Sequence, residues 1–163
     1  MKKALFVGRF QPFHNGHLKA IKELLKKNEW VTIVISGPKK PDAKNPFSFE
    51  EREMMVHLAL SGECIKNYNV RKIADVNNDR KWAKMIKGIG DFSSAYTRNS
   101  WTARCLKIAG ITVQKHNLYE RYKNCGSEIR KRIMHGKRWK NLVPYPVYDY
   151  ISEIEGEKRI RGL

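Results

Sequence analysis

The 163-residue chain has few cysteines, few acidic residues and no long apolar run. Its three cysteines, Cys64, Cys105 and Cys125, lie far apart and form no CxxC pair, which argues against a disulfide framework and a thiolate metal site. No stretch approaches the length of a membrane span, and the apolar run near the start is too short for a secretion signal. We therefore expect a cytoplasmic protein without a membrane partner.

The scarcity of acidic residues leaves a strongly positive chain. Lys and Arg number 33 against 16 Asp and Glu, a formal net charge of +17. Such a charge attracts polyanions, which include nucleic acid, acidic membranes and phosphate-rich metabolites. The basic residues are spread along the chain, with no basic tail, and no RRM, KH or helix-turn-helix pattern is present. The net charge makes a nucleic-acid-binding module the alternative from a different functional class. Because such a pattern is missing, we do not expect a nucleic-acid partner.

Short apolar runs alternate with helical patterns along the chain. The runs of strand length lie at 4–7, 30–36, 69–76, 94–97 and 111–114. Continuous apolar runs suit strands that are buried on both faces, as in parallel sheets. The alternation predicts an α/β fold, a Rossmann-like doubly wound parallel sheet of about five strands with flanking helices. We expect a single domain over 1–163, with a helical C-terminal part at about 126–163.

The second helical pattern carries a clear start signal. Ser48 precedes it, and Glu51 follows three residues later, the spacing of a capping box. A third helical pattern follows the run at 69–76, and Gly88 and Gly90 end it. The C-terminal pattern predicts one helix that carries Val147 and Ile154.

The stretch "GRFQPFHNGH" at 8–17 falls in the first strand-to-helix loop, where doubly wound folds bind phosphates. Two histidines three residues apart lie on the same side of a helix start, where backbone N–H groups favour an anion. Imidazole and guanidinium groups donate to phosphate oxygens, and glycine permits close approach. A histidine metal pair is the alternative, but no further Cys, His or acidic residue lies near it in sequence. The residues concerned are Gly8, Arg9, His14, Gly16 and His17.

The same stretch resembles the (H/T)xGH signature of the nucleotidyltransferase superfamily, in the form found in archaeal-type nicotinamide mononucleotide (NMN) adenylyltransferases. "ISGPKKPDAKNPFSFEER" at 35–52 and "IADVNNDRKW" at 73–82 are similar to further family segments. "GSEIRKRI" at 126–133 resembles the family's second phosphate signature, and the C-terminal residues from 142 onwards match its last helix and tail. The resemblance spans nearly the whole chain in order.

This resemblance implies an enzyme that joins ATP and NMN to give NAD and pyrophosphate. Mg²⁺ would bridge substrate phosphates, with no metal ligand from protein side chains, and the chain would form a homo-oligomer, a hexamer in the family. The implied catalytic residues are Arg9, His14, His17 and Arg130. The implied ATP-binding residues are Gly8, Arg9, Phe10, His14, Gly16, His17, Lys39, Asn99, Ser127 and Arg130. The implied NMN- and NAD-binding residues are Phe13, Ser36, Gly37, Asp75 and Trp82.

Several of these residues also have a purely structural interpretation. Trp82 lies in a helical pattern with Ile86, which suits a core side chain, and Asp75 suits a turn or a cap. In the stretch "YTRNS", Arg98 precedes Asn99 and stands where the family has glycine. This replacement bears on adenine binding. An enzyme of the same superfamily with another acceptor, such as phosphopantetheine, a flavin or a head-group phosphate, is the second hypothesis.

Overall fold

The computed structural model of the chain describes residues 1–114 and 125–162. Within that part, five parallel strands form one sheet. Their bounds are β1 Lys3–Gly8, β2 Trp30–Gly37, β3 Tyr68–Ala74, β4 Ser94–Tyr96 and β5 Val113–Gln114. The strand order is β3-β2-β1-β4-β5, with Lys3 of β1 in register with Trp30 of β2. The predicted fold class, an α/β protein with a parallel sheet and flanking helices, is confirmed.

The strand order reverses beside β1. From β1 the chain passes outward to β2 and β3, and it then returns to place β4 on the other side of β1. Open parallel sheets bind ligands outside the carboxyl ends of the strands where this reversal occurs. The loop that follows β1 therefore starts at the position where the topology favours a ligand.

Seven α-helices connect or follow the strands in the described part. They are α1 Asn15–Leu25, α2 Phe49–Ser61, α3 Asp79–Lys87, α4 Ser100–Ile108, α5 Gly126–Met134, α6 Tyr145–Glu153 and α7 Gly156–Arg161, with a short 3₁₀ turn at Lys140–Leu142. None of these helices has the length and apolar character that crossing a membrane requires.

Two sequence predictions about helix ends have different outcomes. The capping box of α2 is confirmed, because the Ser48 hydroxyl accepts from the Glu51 N–H at 3.2 Å and the Glu51 carboxylate accepts from the Ser48 N–H at 2.8 Å. The prediction of a single C-terminal helix is wrong, because α6 ends before Ile154 and α7 starts after Glu155. Glu155 adopts a positive φ of 53° there, a left-handed conformation that interrupts the helix.

The described residues form two compact units. The first, which we call the sheet unit, comprises Met1–Arg9, Ala20–Pro38 and 67–114, and contains all five strands with α3 and α4. The second, the loop unit, comprises Phe10–Lys19, Lys39–Lys66 and 125–162, and contains α2 and α5 to α7. The single domain stays a prediction.

Each unit has apolar side chains that are removed from water. In the sheet unit the core packs strand residues against α3 and α4; it contains Leu5, Val7, Val34, Ile73, Trp82, Ile86, Ala95, Cys105 and Leu106. In the loop unit α2 packs on α6, and α5 packs on α7. The Arg159 guanidinium of α7 donates to the Glu51 carboxylate at 2.7 Å, which ties the last helix to the start of α2.

Candidate functional site

His14 and His17 lie side by side at the start of α1, in the loop unit. Their rings stack with centroids 3.5 Å apart and planes inclined by 19°. The N–H of His14 donates to Nδ1 of His17 at 3.2 Å, and the N–H of His17 donates to Nδ1 of His14 at 3.3 Å. The spacing of three residues thus places both imidazoles on the same side of the helix, as the sequence predicts.

These main-chain contacts favour one tautomer of each neutral ring. A nitrogen that accepts a hydrogen bond offers its lone pair, so the contacts at Nδ1 favour the tautomer in which the proton is on Nε2. Nε2–H is a donor, and phosphate oxygens are acceptors. The arrangement at His14 and His17 therefore suits an anionic ligand better than a metal ion, which would compete with the proton on Nε2.

Two phenylalanines support this pair from within the protein. The rings of Phe10 and Phe13 lie 4.6 and 5.3 Å from that of His17 between centroids, and both side chains are buried. Phe10 adopts a positive φ of 51°, which is uncommon for a residue with a Cβ. Because their rings are enclosed, the predicted ligand contacts of Phe10 and Phe13 would be made by their backbone atoms.

The first turns of α5 belong to the same unit. Arg130 donates to the backbone carbonyl oxygen of Gln11, so the guanidinium is joined to the segment that carries the histidines. Burial lowers the pKa of Arg130 from its ordinary value, yet a guanidinium keeps its charge at any physiological pH. Ser127 is exposed, with its hydroxyl oxygen 3.3 Å from the Cys125 sulfur, and Lys39 is exposed on the segment before α2.

In the sheet unit, two predicted ligand residues bind each other. The Arg9 guanidinium donates to the Asp75 carboxylate at 2.9 Å, which joins the end of β1 to the end of β3. The Asp75 N–H donates to the Gly37 carbonyl oxygen at 2.8 Å. Gly37 has a φ of 146°, a conformation that side chains disfavour, so glycine is required where β2 ends.

The remaining strand-end residues lie close by in the same unit. The Ser36 hydroxyl lies 3.4 Å from the Gly8 carbonyl oxygen, a weak hydrogen bond between the ends of β2 and β1. The Asn99 side chain caps α4 by accepting from the Thr102 N–H at 2.9 Å. Arg98 is exposed. Gly8, Arg9, Ser36, Gly37 and Asp75 are thus brought together at the carboxyl edge of three strands, as the topology favours.

Trp82 lies in the interior of the sheet unit. Its side chain is 0% exposed and meets Trp101 edge to face, with ring centroids 5.3 Å apart. Within residues 1–114 and 125–162, its Nε1–H is a buried donor that has no acceptor. Trp82 is therefore a core side chain. Stacking on a nicotinamide ring needs an accessible ring face, and this role stays a prediction.

Sequence reasoning missed the residues that hold the second tryptophan. The Trp101 indole N–H and the Arg104 guanidinium donate to the Asp79 carboxylate at 2.8 and 2.9 Å. These hydrogen bonds, first that of Trp101 and then that of Arg104, hold the pKa of Asp79 below its usual value. Asp79 opens α3, and an acidic residue in a first turn is a familiar helix signal, but nothing in the sequence pairs it with Trp101.

A metal site built from side chains is absent from the part of the chain that the structure describes. No three His, Cys, Asp or Glu residues lie close enough there to hold an ion. Most of the candidate groups are N–H and guanidinium donors, which bind anions, and Asp75 is the carboxylate among them.

The chain is similar to proteins of known family and structure. The cytidylyltransferase-like family model matches residues 5–143. A nicotinamide-nucleotide adenylyltransferase of Methanolobus tindarius is 38% identical, with 100% of this chain and 95% of the relative covered. One of the same name from Methanococcus aeolicus is 38% identical over 99% of this chain and 94% of the relative.

The fold is also found in a solved structure. The crystal structure of a bifunctional NMN adenylyltransferase/ADP-ribose pyrophosphatase from Francisella tularensis, complexed with AMP and a manganese ion, matches with a TM-score of 0.83. The sequence identity is 23%, and the match covers 99% of this chain but only 52% of that one, so this chain spans about half of the bifunctional protein. At this identity the match concerns the fold alone.

Proposed function

The chain belongs to the cytidylyltransferase-like family, and we propose that it is a nicotinamide-nucleotide adenylyltransferase, which joins ATP and NMN to give NAD and pyrophosphate. The observation that carries the proposal is the histidine pair in the loop after β1. The two rings are stacked side by side, and the main-chain contacts at Nδ1 favour the tautomer with the proton on Nε2, which donates to phosphate oxygens. Relatives that share this chain's full length bear the name of that activity.

The reaction needs positioning and charge stabilisation more than proton transfer. An oxygen of the NMN phosphate forms a bond to the α-phosphorus of ATP. The bond from that phosphorus to the oxygen that bridges to the β-phosphorus breaks, and pyrophosphate leaves with the electron pair. The attacking phosphate is already anionic, so no general base is required.

The proposed roles follow the chemistry of each side chain. His14 and His17 donate to the ATP phosphates, with His17 at the α-phosphate as it becomes five-coordinate. Arg9 and Arg130 bind the departing β- and γ-phosphates, because guanidinium groups make paired hydrogen bonds to phosphate. The other groups proposed to bind ATP are Gly8, Phe10, Gly16, Lys39, Asn99 and Ser127.

The residues proposed to bind NMN lie in the sheet unit, except for Phe13 of the loop unit. Asp75 accepts hydrogen bonds from NMN, once its ion pair with Arg9 is exchanged for a ligand. Trp82 stacks on the nicotinamide ring, for which its enclosed side chain has to become accessible. Phe13, Ser36 and Gly37 complete the proposed set.

The divalent cation is part of the substrate in this proposal. The described residues offer donors rather than a carboxylate cluster, which fits an ion held by ATP oxygens. We take that ion to be Mg²⁺, which neutralises phosphate charge when it is bound. A homo-oligomer, a cytoplasmic location and the absence of nucleic-acid partners stay predictions; light scattering would distinguish a hexamer from a single chain.

A second candidate keeps the transfer chemistry and changes the acceptor. It is favoured by the complete burial of Trp82, because a ring with no exposed face does not stack on a ligand as it stands. In that case the histidine loop still binds ATP, and the acceptor phosphate belongs to phosphopantetheine, a flavin or a head group.

A pyrophosphate-release assay with ATP and Mg²⁺ tests both candidates. NMN, nicotinate mononucleotide, phosphopantetheine and FMN are compared as acceptors, with His17→Ala as the impaired control. Release with NMN, accompanied by NAD, is the expected result. Release with phosphopantetheine or FMN alone would favour the second candidate, and no release with any acceptor would contradict adenylyl transfer.

A further inference from the structure

Gln11 is a buried polar residue of the loop unit and lies outside the sets of residues proposed to bind ATP and NMN. Its side chain is 4% exposed. Nε2 of Gln11 donates to the Phe47 carbonyl oxygen at 2.8 Å, and Oε1 accepts from the Phe47 N–H at 3.0 Å. The side-chain amide thus pairs with both main-chain groups of a residue 36 positions away.

The main chain of Gln11 makes a second connection, to α5. Its carbonyl oxygen accepts from the Arg130 guanidinium. A Cβ placed on Gly126 would lie 2.6 Å from the same oxygen, closer than real Cβ atoms approach anything. Glycine at the first position of α5 therefore permits the close approach. Gln11 joins three segments of the loop unit: its own, the one before α2, and the first turns of α5.

The histidines lie in the same segment as Gln11. His14 is three residues further along the chain, and the His17 ring packs against the buried rings of Phe10 and Phe13. A shift of the Gln11 segment would therefore move His14, His17 and the acceptor of Arg130 together.

We propose that Gln11 is a positioning residue for ATP: its amide fixes the histidine segment to Phe47, and its carbonyl oxygen aims Arg130. This rests on the proposed function, in which the two histidines and Arg130 bind the ATP phosphates. Gln11 acts through those groups. Small displacements of such groups can have large kinetic effects, up to about 100-fold in rate for a misplacement of about 1 Å.

The chemistry of the amide supplies a specific test. Gln11 needs one donor and one acceptor on neighbouring atoms. An ionised glutamate has acceptors only and would face the Phe47 carbonyl oxygen without a proton, whereas a protonated glutamate again has one donor and one acceptor. Gln11→Glu is nearly isosteric, so its effect depends on the proton rather than on volume.

The pKa of a glutamate at position 11 has two opposing influences. Burial raises it above its ordinary value of about 4.3, and the carbonyl oxygen of Phe47 favours the protonated form. The positive charge of Arg130, on α5, lowers it, and Asp42, before α2, interacts with Arg130 and opposes that effect. The variant therefore regains the amide-like form as the pH falls.

The experiment compares wild type, Gln11→Glu and Gln11→Ala from about pH 8.5 to about pH 5.5. This range is chosen because a buried carboxyl takes up its proton at a higher pH than an exposed one. kcat and KM are measured for Mg-ATP and for NMN, and affinity for a non-hydrolysable ATP analogue is measured by calorimetry. Asn28→Asp is the matched control: Asn28 is a buried amide of the sheet unit that donates to the Leu24 carbonyl oxygen at 2.9 Å.

At high pH we expect kcat/KM for ATP to be about 100-fold below wild type in both Gln11 variants, with KM for NMN within about twofold. As the pH falls, the ratio of Gln11→Glu to wild type is expected to rise about tenfold or more, whereas Gln11→Ala and Asn28→Asp show no such rise. If Gln11→Ala does not fold, the pH dependence of Gln11→Glu decides.

A flat ratio of Gln11→Glu to wild type across the pH range would overturn the proposal, as would an equal rise of KM for NMN and for ATP. Failure of the proposed function looks different. In that case wild type forms no NAD, and affinity for the ATP analogue still tests Gln11: weak binding by Gln11→Glu at high pH that recovers at low pH supports the positioning role, and unchanged binding contradicts it.

Discussion

The loop unit and the sheet unit hold their candidate ligand groups in different ways. In the loop unit, His14 and His17 are fixed by main-chain N–H groups. In the sheet unit, Arg9 and Asp75 are fixed by each other, and Trp82 is enclosed in the core. Groups fixed by the main chain are prearranged for a ligand, whereas groups fixed by each other have to exchange partners.

The cost of that exchange is small for the ion pair. Arg9 and Asp75 are both partly exposed, and such pairs contribute about 0 to 1 kcal/mol, a value that salt lowers further. For Trp82 the cost is larger because its indole is fully buried. Changes at His14, His17 and Gly126 of the loop unit should therefore act mainly on turnover and on ATP, and changes at Asp75 and Trp82 of the sheet unit on NMN affinity and stability.

Replacing His17 with alanine should have the largest effect. The donor proposed for the α-phosphate is lost in the transition state, so kcat should fall about 100- to 1000-fold with KM for NMN changed by less than about threefold. Steady-state kinetics measure both constants. His57→Ala, an exposed histidine on α2 of the same unit, serves as the control. A loss of kcat matched by an equal loss of NMN affinity would remove the proposed role.

Gly126→Ala tests whether α5 must lie against Gln11. The new Cβ would meet the Gln11 carbonyl oxygen, which is backbone, so the helix start has to move and Arg130 with it. We expect kcat/KM for ATP to fall about 10- to 100-fold. At Gly62, by contrast, an added Cβ would make only ordinary contacts, the nearest at 3.4 Å, so Gly62→Ala should leave the kinetics unchanged. Equal kinetics for Gly126→Ala and Gly62→Ala would show that ATP turnover does not depend on the close approach of α5 to Gln11.

Trp82→Leu distinguishes a ligand-binding tryptophan from a core one. If Trp82 stacks on nicotinamide, KM for NMN should rise about 5- to 10-fold, in line with about 1 kcal/mol for an aromatic contact. Thermal unfolding should also begin at a lower temperature, because the side chain is fully buried. Ile86→Ala, a buried change on the same helix, should destabilise by about 2–5 kcal/mol without altering KM for NMN. If KM for NMN is unchanged in Trp82→Leu, Trp82 is a core residue that does not bind the ligand.

Asp79→Asn should have the smallest effect, on stability alone. Hydrogen bonds from Trp101 and Arg104 depress the pKa of Asp79 in the folded protein, so its ionised form stabilises the fold above the unfolded-state pKa of about 3.9. That stabilisation is lost as the pH falls through the lower, folded pKa. Urea unfolding should show the variant less stable than wild type at about pH 7, with the difference shrinking towards about pH 2. Asp91→Asn is the exposed control, and a deficit that stays constant with pH would refute the linkage.

The sequence predicts the sheet unit better than the details of the site. The run "WVTIVIS" is apolar or β-branched at every position except Ser36, which is typical of a buried strand, and β2 occupies it. The spacing of His14 and His17 predicts their shared side because helix geometry is local.

What the sequence cannot reveal is pairing over distance. Gln11 and Phe47 are 36 residues apart, and Arg9 and Asp75 are 66 apart, so only the folded chain determines that they meet. The burial of Trp82 likewise depends on α4, whose Trp101 meets it edge to face. Local patterns therefore predicted which residue types matter, and tertiary packing determined which of them bind one another.

The proposed reaction is a direct transfer of the adenylyl group from ATP to the NMN phosphate. Its most direct test is a reaction with ATP labelled at the α-phosphate, run with and without NMN, followed by separation of nucleotides and protein. We expect the label to enter NAD when NMN is present, with none remaining on the protein. Label bound covalently to the protein, or released as AMP without NMN, would contradict it.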